Sequence, residues 1–439
     1  MKNSFDRKLK SCIFAIMFYL TWKMRNELKH IFLVLLFVLC AGSVWAQNAT
    51  NSPYTRYGYG ALEDAVPSNG RAMGGLAIGL RDKESINFAN PASYTAMDSL
   101  TFLFDGGVTL QNTNFNDGTY RLNAKNSSVN YFAMQFRINK IYAMSFGLTP
   151  YSNVGYNLSQ VYDDDVAADN YSILNFYGDG GLHQVYGGIG MKLLRNLSIG
   201  GNFSYIWGDI YHISSQVFPT NASAMVLAKT ENVDVRSFKM DFGVQYVHRI
   251  NSKNRVVLGA VFSPKQRLNN SATEAVALGS AVTLNDTVVV TQIPMSIGAG
   301  VTYVYDDRLT VGMDVMYQQW SKVNFMNSTN VFVDRTKISV GAEYLPALYG
   351  AGFFNHVKYR AGAYYSLPYY KIDGSRAAKE YGVSVGMGLP VARSGSLIHI
   401  SGQYAHLQGQ GASNLSENIF QVTIGLTFNE RWFFKRRVN

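Results

Sequence analysis

Strict alternation between apolar and small or polar residues recurs along this chain, and it restricts the possible folds more than any other feature. The last stretch is the clearest, with Phe420, Val422, Ile424, Leu426 and Phe428 separated by Gln421, Thr423, Gly425 and Thr427. A period of two indicates β-strands with two different faces. Strands of soluble sandwiches have about five or six residues. The clearest stretches here have nine to eleven, about the length that a tilted strand needs to cross a bilayer.

Fourteen such stretches are predicted as strands, at 100–110, 129–138, 141–150, 182–193, 197–206, 235–249, 255–263, 292–305, 309–320, 336–344, 357–365, 381–391, 397–406 and 418–428. Their connections alternate between short polar turns and long segments, and only 345–356 breaks this rule. Outer-membrane barrels have such short periplasmic turns and long outer loops, and closure leaves no sheet edge in lipid. The sequence therefore predicts an all-β fold, a transmembrane antiparallel β-barrel of about 14 strands over 100–428.

The composition agrees with a membrane barrel and excludes two other classes. The chain is 47% hydrophobic, which excludes a disordered chain. The longest apolar run, 31–42, has 12 residues, short of the roughly 18–20 that a spanning helix needs. Tyrosine and tryptophan cluster at the ends of the predicted strands, as is typical of membrane interfaces. We therefore expect a protein of the outer membrane of a Gram-negative-type bacterium, surrounded by membrane lipid.

The two ends of the chain carry most of its positive charge. Residues 1–46 combine basic residues, the apolar run and a small residue at Ala46, which predicts a signal peptide cleaved after Ala46, with Met24 as the more natural start. Both cysteines, Cys12 and Cys40, belong to this leader. Residues 429–439 form a basic tail, predicted to be periplasmic. The formal net charge of +10 therefore comes mainly from the ends, and it does not indicate nucleic-acid binding.

Charged residues of both signs are predicted to face the lumen of the barrel. They are Arg137, Lys239, Asp241, Asp314, Glu343, Lys358 and Arg360. Mixed signs argue against a simple ion-selective pore, and we expect some of these residues to pair across the lumen.

No catalytic or metal motif is convincing, so we expect no enzyme, no cofactor and no metal. The stretch Gly382–Gly386 matches a nucleophile elbow, but that motif needs a turn into a helix, and here it lies within a predicted strand. His399 and Ser401 share one strand face with no obvious Asn or Asp partner. Asp163, Asp164, Asp165 and Asp169 could hold calcium, but a solvated outer loop is the simpler interpretation.

Residues 47–99 do not alternate, and they carry the start of a family resemblance. The sequence Arg71-Ala72-Met73-Gly74-Gly75, followed by Asn90-Pro91-Ala92, resembles the amino-terminal hatch of the FadL-type long-chain fatty-acid transport family. Further matches in the same order are Ile293-Pro294, Gly300-Val301-Thr302-Tyr303, Gln319-Trp320-Ser321, Gly341-Ala342-Glu343-Tyr344 and Arg360-Ala361-Gly362. The resemblance implies a fourteen-stranded barrel closed by a hatch, which takes up a hydrophobic small-molecule ligand.

Two functions remain open from the sequence. One is a channel for hydrophobic molecules, which needs a continuous apolar route from the outer loops to the hatch. The other is an outer-membrane assembly or secretion partner without transport activity, as in a related branch of the same superfamily, which needs only a sealed barrel. The polar outer loops and the tail after Phe428 depart from the fatty-acid transport pattern.

The resemblance also implies a kink in the third strand that opens the barrel wall sideways. Gly147 and Pro150 are the candidates for this kink, because proline cannot donate to the strand ladder and glycine weakens a strand. We expect Asn90, Pro91 and Ala92 to pack near Gly147 and Pro150 and to gate the opening. The alternative is that Pro150 merely ends the strand at the outer rim.

Overall fold

The computed structural model describes residues 49–431 except 166–169, 220–223, 288–289, 327–329, 351, 373, 392–394 and 410–414. The predicted signal peptide and all of the basic tail after Arg431 lie outside the described residues. Side chains are described for the same residues except 163–165, 170, 285–287, 375 and 431.

Fourteen antiparallel strands form a closed barrel. Each strand pairs with the next one along the chain, and the last pairs with the first over Thr101–Arg431 to Asn116–Ser416. The strands are β1 (Thr101–Asn116), β2 (Arg121–Arg137), β3 (Tyr142–Asp165), β4 (Asn170–Lys192), β5 (Leu197–Val217), β6 (Leu227–Arg249), β7 (Asn254–Ser263), β8 (Ser296–Tyr305), β9 (Leu309–Gln318), β10 (Arg335–Tyr344), β11 (Lys358–Leu367), β12 (Ala378–Pro390), β13 (Leu397–Gly409) and β14 (Ser416–Arg431). The predicted fold class and strand number are confirmed.

The alternation of the sequence is an alternation between lipid and lumen. Along β8, Ile297, Val301 and Tyr303 are exposed on the outer face, whereas Thr302 is buried inside. Exposed apolar side chains and buried polar ones are the reverse of a soluble protein, and this arrangement suits a surface covered by lipid.

Several strands are longer than predicted, because the outer connections continue them. β3 has 24 residues and β4 has 23, so much of the predicted loop 151–181 is strand. The predicted loop 264–291 contains the strand Asn270–Leu278, which pairs with the outer end of β6. Residues such as Asn157 and Ser159 are exposed on these extensions. Outside the bilayer a strand needs no apolar outer face, so the two-residue hydrophobic pattern that predicts strands is lost there.

The segment Ala49–Met97, which we call the hatch, has little regular structure and is largely buried. Its strand Ala61–Leu62 pairs with β3. The remaining short elements are the α-helix Ser68–Arg71, the 3₁₀ helices Pro53–Arg56, Pro91–Ala96, Trp320–Lys322 and Phe353–His356, and the strands Gln266–Leu268, Ala281–Thr287, Thr291–Ile293, Lys371–Ile372 and Ser375–Arg376. Among the described helices, none is long and apolar enough to span a bilayer.

Candidate functional site: the hatch and the inner barrel wall

Glycines on the inner wall allow the hatch backbone to lie directly against the strands. A Cβ atom at Gly200 would lie 2.5 Å from the carbonyl carbon of Pro91, and one at Gly190 would lie 2.7 Å from the Pro91 oxygen. Hatch backbone comes as close at Gly259, Gly300, Gly341 and Gly362, and hatch side chains do so at Gly107, Gly243, Gly312, Gly386 and Gly425. Because real Cβ atoms essentially never come this close, the hatch fills the cross-section at this level.

Asp314 of β9 holds one turn of the hatch by its backbone. Its Oδ2 accepts hydrogen bonds from the N–H groups of Ala77 and Ile78, each at 2.6 Å, and its Oδ1 accepts one from Gly79 at 3.3 Å. Hydrogen bonds to a charged acceptor are roughly twice as strong as neutral ones. Asp314 is therefore a hatch anchor, and its two carboxylate oxygens accept hydrogen bonds from the hatch backbone.

The charges nearest the periplasmic side also bind the hatch or each other. Lys358 Nζ lies 2.8 Å from Glu84 and 3.7 Å from Asp82, both hatch residues. Arg360 Nε lies 2.7 Å from Glu343 Oε2. These are three of the residues predicted to face the lumen, and the structure brings them together on β10 and β11.

Asp64 forms the second set of ion pairs between the hatch and the barrel wall, nearer the outer side of the lumen. Its carboxylate accepts two hydrogen bonds from Arg335 at 3.0 Å and one from Lys337 Nζ at 2.6 Å. Burial alone would raise the pKa of Asp64, but the charges of Arg335 and Lys337 outweigh it and hold that pKa well below its usual range. The hatch is therefore held by ion pairs at both levels of the lumen.

Replacing Asp64 by asparagine should weaken this contact in a pH-dependent way. A carboxyl group whose pKa is lowered on folding stabilises the folded state above its ordinary pKa of about 3.9, and this effect is lost as the pH falls through the lowered value. We therefore expect the free energy of local opening of the hatch to differ between wild type and D64N by a constant amount between about pH 7 and 5. The two values should converge only below about pH 4. Hydrogen exchange of residues 60–66 measures this difference. A difference that disappears by pH 6 would contradict the assigned ion pairs.

The other predicted lumen charges have more local roles. Arg137 Nη1 donates to the carbonyl oxygen of Met97 at 2.6 Å, at the end of the hatch. Lys239 pairs with Asp241 two residues further along β6, and Asp241 also accepts a hydrogen bond from Ser263. The pairing within one strand does not reach across the lumen.

Sequence reasoning missed Asp64, Arg335, Lys337 and the inner glycines as hatch contacts. The glycines lie within alternating stretches, so the two-residue pattern alone assigns them to the lumen face. The hatch itself has no periodicity, so its residues cannot be assigned to particular strands from the sequence.

The expected packing of Asn90, Pro91 and Ala92 against Gly147 and Pro150 is corrected by the structure. The side chain of Asn90 lies against Gly243 of β6, and Pro91 lies between β4 and β5 at Gly190 and Gly200. Pro150 pairs with His183 of β4, seven residues nearer the outer side than Gly190, which is about 23 Å along a strand. His183 lies beside Trp207, with ring centroids 6.1 Å apart. Pro150 therefore lies far outward from Asn90 and Pro91, but it does not end the strand, because β3 continues to Asp165.

The strand nevertheless separates from its neighbour at this place. β2 and β3 pair only from Arg137–Ala143 to Phe132–Leu148. The register of β3 against β4 shifts between Pro150 and Ser152, which marks a bulge. Beyond the separation, Ala61 and Leu62 pair with Asn153 and Ser152. The hatch segment beside this separation is therefore Ala61–Leu62, and not Asn90–Ala92.

The outer half of the lumen is divided between an apolar cluster and a polar cavity. The protein's own aromatic side chains fill the cluster: Tyr59, Trp320 and Phe332 are almost fully buried, and the Trp320 and Tyr369 rings are 4.3 Å apart. The cavity has a volume of about 210 Å³ and is lined by carboxylate, guanidinium, ammonium and amide groups, among them Glu63, Asp64, Arg71, Arg335, Lys337, Glu380, Gln403, Glu417 and Gln421. Among the described residues, aromatic side chains fill the first region, and charged and amide groups line much of the second.

The motifs that resemble catalytic ones have structural contacts. Ser384, in the elbow-like stretch, lies within β12, and its Oγ accepts a hydrogen bond from the N–H of Gly74 at 2.8 Å. His399 is buried between Arg360 and Thr427. In the part of the chain that is described, no group of three His, Cys, Asp or Glu residues could hold a metal ion. Asp169 and the side chains of Asp163, Asp164 and Asp165 lie outside the described residues.

These features define a fourteen-stranded membrane-type barrel whose lumen holds an amino-terminal hatch. The chain belongs to the BamG family, whose family model matches residues 28–439. No curated protein matches it in sequence.

Solved structures with this fold agree with the FadL-type resemblance. The toluene transporter TbuX of Ralstonia pickettii has a TM-score of 0.56 at 16% identity, over 83% of this chain and 98% of its own. A FadL homologue of Pseudomonas aeruginosa has a TM-score of 0.58 at 13% identity, over 85% of this chain and 100% of its own. The toluene transporter TodX of Pseudomonas putida has a TM-score of 0.56 at 15% identity, over 85% of this chain and 99% of its own. At such identities the likeness establishes the fold. By their names, two of these neighbours are toluene transporters.

Proposed function

We propose that this protein lies in the outer membrane of a Gram-negative-type bacterium and works there as a closed barrel, as a partner in the assembly or secretion of other proteins. The observation that carries the proposal is the close packing of the hatch against inner-wall glycines on most sides of the lumen. Ion pairs at two levels, from Lys358 and from Arg335 with Lys337, reinforce this packing. Membership of the BamG family fits the secretion-partner branch of the superfamily.

A second candidate is a channel for hydrophobic small molecules that leave sideways through the wall. It is favoured by the separation of β2 from β3 beyond Leu148 and by the bulge after Pro150. In this candidate the gate is the hatch strand Ala61–Leu62, which would have to leave the edge of β3. The two functions differ in whether this strand must move.

A disulfide between the hatch strand and β3 separates the two candidates. Ala61 and Asn153 are paired across an antiparallel ladder, where Cα atoms are about 4.5–5.5 Å apart, within the range that a disulfide spans. The chain's two cysteines, Cys12 and Cys40, both precede the hatch. The pair Ala61→Cys and Asn153→Cys should therefore close the wall opening covalently.

The test is complementation in cells depleted of the protein. We expect depletion to lower the amounts of other outer-membrane or surface proteins several-fold, and the oxidised double variant to restore them as well as either single variant does. If depletion leaves those proteins unchanged, the partner function is wrong. If the single variants restore them and the oxidised pair does not, the closed barrel is wrong, because the hatch strand must move.

A further inference from the structure

The connection between β10 and β11 is the long segment on the periplasmic side that breaks the predicted rule of short turns. Residues 345–357 contain no Lys, Arg, Asp or Glu. Four of their large apolar side chains are exposed: Tyr349 is 89% exposed, Phe354 74%, Phe353 53% and Leu348 39%. Such an exposed uncharged cluster is unusual on a surface that faces only water.

The segment starts and ends at the lipid-facing aromatic belt on the periplasmic side of the barrel. Tyr344 and Tyr359 are paired across β10 and β11, and Tyr305 lies beside the same row through Leu309. All three tyrosines point to the lipid side, since they are exposed and alternate with buried or lumen-facing residues such as Arg360 and Val304. Tyrosine at this position is typical of the boundary between lipid and water.

Hydrogen bonds hold the segment against this lipid-facing belt instead of under the lumen. The Tyr359 hydroxyl donates to the carbonyl oxygen of Phe354 at 3.5 Å. The N–H of Leu345 donates to the Arg308 carbonyl at 2.7 Å, and the N–H of Ala347 donates to the Asn355 carbonyl at 2.9 Å. Phe353 and Phe354 thus lie next to the outer surface of the barrel, which is already covered by lipid.

A positive charge lies where lipid headgroups would begin. The Arg308 guanidinium donates to the carbonyl oxygens of Leu345 and Pro346, and it lies 6.0 Å from the centre of the Tyr344 ring. An apolar cluster beside an interfacial tyrosine and an arginine combines the groups that bind the acyl chains, the interface and the phosphates of a phospholipid.

We propose that Leu348, Tyr349, Phe353 and Phe354 of this connection insert into the periplasmic leaflet of the outer membrane, among the phospholipid acyl chains. The segment is an interfacial anchor that fixes this side of the barrel in the bilayer. Its exposed aromatic surface is continuous with the lipid-facing belt, and this continuity identifies lipid as the occupant. The inference is independent of the function proposed above.

Environment-sensitive fluorescence tests this proposal. The full chain with Cys12→Ser and Cys40→Ser would carry a single NBD-labelled cysteine, either Phe354→Cys or Tyr349→Cys. The matched control is Ser252→Cys, an exposed residue of the β6–β7 turn on the same side of the barrel. Each protein is reconstituted in vesicles of phosphatidylethanolamine and phosphatidylglycerol, with and without doxyl-labelled phosphatidylcholine. An unheated gel confirms that each barrel is folded.

We expect blue-shifted emission at 354 and 349, and at least about twofold stronger quenching by doxyl lipid than at 252. If the spectra at 354 and 349 match that at 252, or if the doxyl lipid quenches all three positions equally, the proposal is overturned. An interface with a periplasmic protein would give this second outcome, since no other protein is present in the vesicles.

Discussion

Replacing Asp314 by alanine should release the hatch turn at residues 77–79 from the barrel wall. The substitution removes the acceptor for three N–H groups, those of Ala77, Ile78 and Gly79. Each buried donor left without a partner costs about 1–3 kcal/mol, and water that enters recovers part of this. We therefore expect a loss of about 3–5 kcal/mol in the free energy of local opening, seen as roughly hundred-fold to several-thousand-fold faster hydrogen exchange at 77–79.

The conservative variant Asp314→Asn is the control for this prediction. Asparagine keeps one carbonyl oxygen and the same shape but loses the charge. Its exchange rates at 77–79 should therefore lie between those of wild type and D314A. If D314A exchanges no faster than wild type at these residues, Asp314 is not what holds the hatch.

Substituting alanine for Gly362 should push the hatch away from β11. A Cβ atom at this position would overlap the backbone of Met73 and Gly74, and backbone cannot rotate away as a side chain can. Overpacking costs about 1–3 kcal/mol and sometimes more. We expect the hatch to become sensitive to protease while the barrel stays folded, and we expect ion conductance to appear in planar bilayers.

Gly402 offers a matched control on β13. A Cβ atom at Gly402 meets no other atom within 4 Å, so Gly402→Ala makes the same chemical change without the overlap. It should leave protease resistance and conductance at the wild-type level. Equal behaviour of the two variants would show that the hatch is not packed tightly against the glycines.

The barrel could be predicted from the sequence because lipid imposes a rule on every strand. The outer face must be apolar throughout the bilayer, so strands such as β14 show an unbroken two-residue pattern. Where β3 and β4 leave the bilayer this requirement ends, and residues such as Asn157 give no sign of the strand that continues there. The same rule explains why the predicted short turns near 139–140, 195–196, 251–254 and 306–308 agree with the described strand ends.

The hatch contacts could not be predicted in the same way. A buried charge needs a partner wherever the fold brings one, and Asp64 is 271 residues from Arg335 along the chain. Nothing in the local pattern around either residue specifies that pair. The prediction that Asn90 lies near Pro150 is wrong for this reason. The local sequence around each residue is unusual, but it does not indicate how deep the residue lies in the barrel. The pairing of Ala61–Leu62 with β3 involves only two residues and left no pattern.

Uptake of hydrophobic solutes by whole cells tests the closed barrel most directly. Labelled toluene and oleate would be supplied to cells that carry the wild-type protein, to cells that carry the oxidised Ala61→Cys and Asn153→Cys variant, and to cells depleted of the protein. If the barrel works closed, the three uptake rates are equal for both solutes. Several-fold faster uptake with the wild-type protein, removed by the disulfide and restored by a reductant, would contradict the closed barrel and establish the lateral channel.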